Sequence, residues 1–201
     1  MNQTEFSQRS MGKGRIEAFS DGVIAIIITI MVLELKVPHG IQFDSLHPLL
    51  PVFLCYVLSF IFIGIYWNNH HHLFQVVQKV NGAALWANLH LLFWLSLVPF
   101  VTGWMGENAF APMTVALYGV DMLMAGIAYF ILCRVLIAHH GNDSPLALAL
   151  GKDYKGMVST VIYLAAIPLA FMNAWISVGL FIIVAAMWLV PDRRIEALIT
   201  K

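Results

Sequence analysis

Six long apolar runs restrict this chain more than any other feature; they lie near residues 16–37, 49–69, 83–104, 111–135, 157–171 and 175–190. A helical run of roughly 20 such residues crosses the ~30 Å hydrocarbon core of a bilayer. Backbone polar groups in lipid must be satisfied within the segment or by closed strand pairing, and the alternation of a barrel strand is absent. The runs predict an all-α membrane protein, a single domain over residues 1–201 with six transmembrane helices. Composition agrees, with 60% hydrophobic and 11% charged residues and a mean hydropathy of +0.81. Eleven acids and eleven bases cannot cover a soluble protein of this length. Zero net charge gives no reason to expect nucleic-acid binding. Cys55 and Cys133 both sit in apolar runs and read as small packing residues.

Lysine and arginine set the expected orientation. If six helices alternate, Arg9, Lys13, Arg15, Lys79, Arg134, Lys152, Lys155, Arg193, Arg194 and Lys201 share one side and Lys36 alone lies on the other. That asymmetry predicts both termini in the cytoplasm. The first run carries Asp21 and Glu34 and leads into no small-residue cleavage site, so it is expected to be a span and not a cleaved leader. The last two helices, joined near Met172–Ala174, are expected to form a tight antiparallel hairpin.

Ionisable groups inside spans are costly and are functional candidates by default. Arg15, Glu17 and Glu34 can reach the interfaces, but Asp21 lies about 9 Å deeper than Arg15 at helical rise. The six-residue spacing does not bring those two together on one helix face, so Asp21 is expected to bond to another helix. The second run ends in Tyr66-Trp67-Asn68-Asn69-His70-His71-His72, and the third carries Asn88 and His90 near its start. A cluster of Asp21, a histidine from 70–72 and Asn88 or His90 follows. Its plainer reading is an interhelical hydrogen-bond clamp; the sharper ones are gating, ion sensing or a bound transition metal. Consecutive histidines point in different directions on a helix, so no metal is assigned, and no cofactor is expected. Asp121, near the middle of the fourth run, is read as structural, through a partner such as Tyr163 or through protonation, with a place in a proton or ion path as the sharper reading.

Helical periodicity puts Phe19, Gly22, Ile26, Thr29 and Leu33 on one stripe of the first helix, with Ile30 beside it. On pattern alone the stripe suits lipid, a neighbouring helix or a symmetry axis. Ile24 and Ile28 lie off it and are expected to face lipid.

Arg15-Ile-Glu-Ala-Phe19-Ser20-Asp21, followed by an isoleucine-rich stretch with Thr29, resembles the first-helix signature of the lysosomal potassium channel family, transmembrane protein 175. The Tyr66-Trp67-x-x-His70-His71 run resembles the end of that family's second helix. One copy of the signature is similar to the prokaryotic branch, in which four subunits surround a pore. The resemblance implies a homotetrameric, potassium-preferring cation channel of a prokaryotic plasma membrane, its pore lined by the first helix. It implies that Ile26, Thr29, Ile30 and Leu33 form the constriction. It also implies that Arg15, Phe19, Ser20 and Asp21 hold the pore helix against its neighbours; with the second-helix run and the polar cluster, the expected supporting network is Arg15, Phe19, Ser20, Asp21, Trp67, His70, His71, Asn88 and His90. No T-V-G-Y-G filter occurs, so an apolar ring that shuts by dewetting is the expected gate.

Two other classes compete. A proton-coupled transporter would use Asp21 and Asp121, although paired repeats with broken helices are absent. A haem- or quinone-linked protein would need two histidines at matched depth, and only His90 is clearly within a span. Hydrolase signatures such as Gly-x-Ser-x-Gly are absent, and no enzymatic activity is expected.

Overall fold

The computed structural model describes residues 13–141, 143–150 and 153–189. Every regular element among them is helical: α1 (Lys13–Leu33), α2 (Leu50–Val76), α3 (Gly82–Glu107), α4 (Pro112–His140), α5 (Pro145–Leu150), α6 (Tyr154–Met172) and α7 (Ala174–Leu189), with a 3-10 segment at Phe43–Leu49. Each of the six apolar runs coincides with one of the long helices. Five of these are long and apolar enough to cross a membrane, while Ala174–Leu189 is a shorter apolar helix. The short α5 and the 3-10 segment have no counterpart in the sequence expectation.

Local chemistry sets the boundaries. Asn81 accepts the Ala84 N–H at 2.9 Å and starts α3, and Asp153 accepts the Gly156 N–H at 2.8 Å and starts α6. Pro112 occupies the first position of α4, where a missing N–H costs nothing. Asn173 alone separates α6 from α7, and its side chain accepts the Trp175 N–H at 3.0 Å. The two helices pack together as the expected hairpin.

Two expected boundaries move. The second helix runs on to Val76 and does not stop at the histidines, because Leu73 and Phe74 beyond them are buried and continue its packed face. The first helix ends at Leu33, which leaves Glu34 and Lys36 in the following turn.

The core lies where α3 packs against α2 and α4, and α4 in turn against α6 and α7. Cys55 and Cys133 are buried there as free thiols. Helix α1 sits on one flank, packed on α2 and α3, and the α6–α7 hairpin lies on the other side of α4. One face of α1 is therefore left uncovered by the described residues.

Candidate functional site

Residues Ile16, Ser20, Ile24, Ile27 and Met31 form the buried face of α1, at the three- and four-residue spacing of a helix packed along one side. Ile24, expected to face lipid, is 2% exposed, and Ile28 is half-buried against the core. The inward arc of the helix is wider than the polar residues alone suggest. Phe19, Gly22, Ile26, Thr29, Ile30 and Leu33 are all exposed, with Ile26 at 58% and Leu33 at 78%. The Thr29 hydroxyl donates to the Ile26 carbonyl at 2.8 Å, so one bond is spent on its own helix while the oxygen lone pairs stay available.

A buried polar chain fastens the opposite face. The Asn88 amide donates to Ser20 Oγ at 2.9 Å, and its carbonyl oxygen lies 2.8 Å from His70 Nε2. With the Asn88 oxygen as acceptor, His70 donates from Nε2. Ser20, His70 and Asn88 are at most 2% exposed, so α1, α2 and α3 share one satisfied network in an apolar interior. A second contact lies nearby, where Trp67 Nε1 donates to Asp21 Oδ1 at 3.0 Å on the exposed side. The Trp67 ring stacks on His71 with centroids 5.9 Å apart.

The ends of α1 are tied as well. Lys13 donates to the Phe74 carbonyl at 3.1 Å, where the last turn of α2 leaves carbonyls without helical partners. Beyond the other end, Lys36 pairs with Glu107 at 2.6 Å. The hydrogen bond to Glu107, and then its charge, hold the Lys36 ammonium above its ordinary pKa.

The sequence-predicted residues thus divide into groups. Ser20, His70 and Asn88 come together in one network, and Asp21, Trp67 and His71 in another. Asp21 meets neither a histidine nor Asn88, because Asn88 is already bonded to Ser20 and His70. His90 stays outside both: its Nε2 accepts the Trp94 N–H at 3.0 Å, one turn along its own helix. Phe19 belongs to the exposed stripe. Arg15 is exposed and makes no hydrogen bond or ion pair among the described residues. No group of three or more His, Cys, Asp or Glu side chains converges as a metal site among those residues.

Asp121 is 3% exposed, and neither carboxylate oxygen has a protein hydrogen-bond partner among the described residues. A bond to Tyr163, the partner named as an example, does not form. Sequence reasoning missed Lys13 and Glu107, and also a buried hydroxyl cluster in which Ser59 lies 2.6 Å from Thr102 and 3.1 Å from Tyr118. Hydroxyls at the middle of apolar runs were the available signal.

Comparison with known proteins shows what the chain is similar to. Residues 15–99 match the family model of the endosomal/lysosomal potassium channel TMEM175. A Chryseobacterium protein named as a potassium channel is 56% identical over 186 residues, covering 92% of this chain and 97% of its own. The crystal structure of a lysosomal potassium-selective channel TMEM175 homolog from Chamaesiphon minutus superposes with a TM-score of 0.73 at 31% identity, covering 89% of this chain and 96% of its own. A Gallus gallus protein named as an endosomal/lysosomal proton channel is 40% identical over 81 residues, 34% of this chain and 16% of its own.

Proposed function

The chain belongs to the family of the endosomal/lysosomal potassium channel TMEM175, and we propose that it is a potassium-preferring cation channel conducting between four copies of α1. The observation that carries this reading is the division of α1 into two faces. One is held by Ser20–Asn88–His70, Asp21–Trp67 and Lys13; the other bears Ile26, Thr29, Ile30 and Leu33 and has no partner among the described residues. A helix so firmly held on one side is suited to line a pore with the other.

Four such helices around an axis would turn Ile26, Ile30 and Leu33 into apolar rings and Thr29 into a ring of hydroxyls. A narrow apolar ring shuts to ions by dewetting. Slight widening would admit a partly dehydrated cation, and potassium gives up its water more readily than sodium. Thr29 oxygens would replace part of that shell. Selectivity of this kind is modest, since no cage of backbone carbonyls enforces it.

In this reading the chain is a six-span subunit of a homotetramer in a prokaryotic plasma membrane, with both termini cytoplasmic. Its supporting network is Ser20, Asp21, Trp67, His70 and Asn88, with His71 stacked beneath Trp67. The deciding measurement is flux from liposomes containing purified protein under potassium, sodium and caesium gradients. Potassium and caesium should pass faster than sodium; no flux of any of them would end the reading.

One observation favours a second reading, a proton-coupled transporter using Asp21 and Asp121. Asp121 is buried without a protein partner, and intramembrane acids of this kind serve proton relays. Saturable flux coupled to a pH gradient would select it.

A further inference from the structure

Away from α1, on the far side of the bundle, a cavity of about 1080 Å³ opens between α2, α4, α6 and α7. Its size lies just above the ~300–1,000 Å³ typical of small-molecule sites. On α4 its lining runs from Leu123 to Ile137, about 21 Å of helix axis. That exceeds the ~15 Å half-thickness of a hydrocarbon core. Gly126 leaves room along α4: a Cβ built on it meets only the Tyr66 hydroxyl, at 3.7 Å.

The two ends differ in chemistry. The deep end is lined by Phe62, Leu123 and Tyr163. The other end carries Arg134 and Lys155, with Asp153 beside them. The Asp153 carboxylate caps α6 through the Gly156 N–H. Arg134 is exposed and has no carboxylate within ion-pair reach among the described residues. At the same level Trp188 donates its indole N–H to Ser159 at 2.8 Å, and Lys155 Nζ stands 5.8 Å from the centre of its ring. A tryptophan with a polar tip beside a lysine and an arginine marks the water–lipid boundary. The cavity therefore begins at head-group depth with a cation and continues inward as an apolar trough.

We propose that this cavity is a binding site for an anionic phospholipid, with the phosphodiester against Arg134 and Lys155 and one acyl chain lying along α4 past Gly126. Charge complementarity selects a lipid over an apolar helix, which would leave Arg134 facing hydrocarbon. The guanidinium suits a phosphate because its planar fork offers two parallel donors. The site depends on the bundle lying in a membrane, and not on which ion the protein conducts. Bound there, a lipid would brace the α6–α7 hairpin against α2 and α4.

Thermal unfolding of purified, delipidated full-length protein in detergent tests this, with phosphatidylglycerol, phosphatidylcholine of the same chain length, or water-soluble glycerol phosphate added. Phosphatidylglycerol should raise the midpoint at the lowest concentration, and glycerol phosphate should leave it unchanged. Arg134→Gln should raise the phosphatidylglycerol concentration needed by about fivefold, the effect of one cation near a head group. Gly126→Leu projects a side chain into the trough across the path of the acyl chain and should remove the response to both lipids. An equal response to both lipids in the parent protein, unchanged in both variants, would overturn the site. A shift with glycerol phosphate alone would make it a free-phosphate site and equally overturn the proposal. Met157→Cys, at the exposed lip, separates lipid from a second copy of the chain. Its thiol should be labelled in lipid-free oligomer and protected by phosphatidylglycerol, whereas protection without lipid would assign the cavity to a subunit contact.

Discussion

Asn88 of α3 donates to Ser20 of α1 through a buried 2.9 Å hydrogen bond, and the same amide group engages His70 of α2 at 2.8 Å. One side chain thus sets the position of three helices relative to one another. Asn88→Leu keeps the bulk and removes both bonds, leaving a hydroxyl and an imidazole N–H buried without partners, at about 1–3 kcal/mol for each. The variant should melt well below the parent and lose flux in liposomes. Ser20→Ala, which strands only one amide N–H, should fall between them. Equal melting temperatures for all three proteins would show that the network does not hold α1.

The Trp67–Asp21 contact makes a different prediction, because both residues are partly open to the surroundings. Neither Trp67→Phe nor Asp21→Ala alone isolates the bond, since each also changes packing or charge. The double variant does, through a thermodynamic cycle. A coupling of about 0.5 kcal/mol or more is expected for a bond that orients the helix. Strictly additive effects would mean that the 3.0 Å approach carries no positional role.

Much of this architecture was legible because lipid narrows what a backbone can do. Apolar runs had to be helices, and a single residue between Met172 and Ala174 had to be a hairpin turn. Ser20, Asp21, Trp67, His70 and Asn88 were legible as polar groups with no place in lipid. Their pairing was not. Residue type gives depth, but which donor reaches which acceptor depends on helix rotation: Asp21 faces Trp67 while its neighbour Ser20 faces Asn88. His90 has Trp94 one turn away, and that local bond replaces the interhelical one its position suggested. Ile24 was misread for the opposite reason, since an isoleucine is equally at home in lipid and in a core. The cavity beside α4 was invisible because its walls come from four helices whose relative placement residue type does not give.

Asp121 offers a test that separates structure from transport. A buried carboxylate without a hydrogen-bond partner destabilises the fold that encloses it. Asp121→Asn keeps the shape and removes the charge, so the variant should melt at or above the parent temperature. In the channel reading its potassium flux should match the parent, because Asp121 lies on α4 and not on α1. A stable variant that no longer carries ions would place Asp121 in a transport path and favour the transporter reading.

The strongest test of the pore assignment is Ile26→Asn. In the channel reading Ile26 forms an apolar ring one turn from Ile30, and an amide there would hydrate the constriction. Resting leak should rise and the preference for potassium over sodium should shrink. The controls must be apolar residues that face outward but lie away from α1. Ile24 is unsuitable, because at 2% exposure an asparagine there would disrupt the bundle itself. Leu164 on α6 and Ile183 on α7 are both 56% exposed and sit on the opposite flank. Their asparagine variants should lower membrane insertion or stability without opening a leak. A generic penalty for a polar group in lipid would give all three variants one phenotype, whereas a leak confined to Ile26→Asn requires water at that position. If Ile26→Asn conducts like the parent with unchanged selectivity, the constriction lies elsewhere on the exposed stripe, and Ile30 and Leu33 are the next positions to substitute.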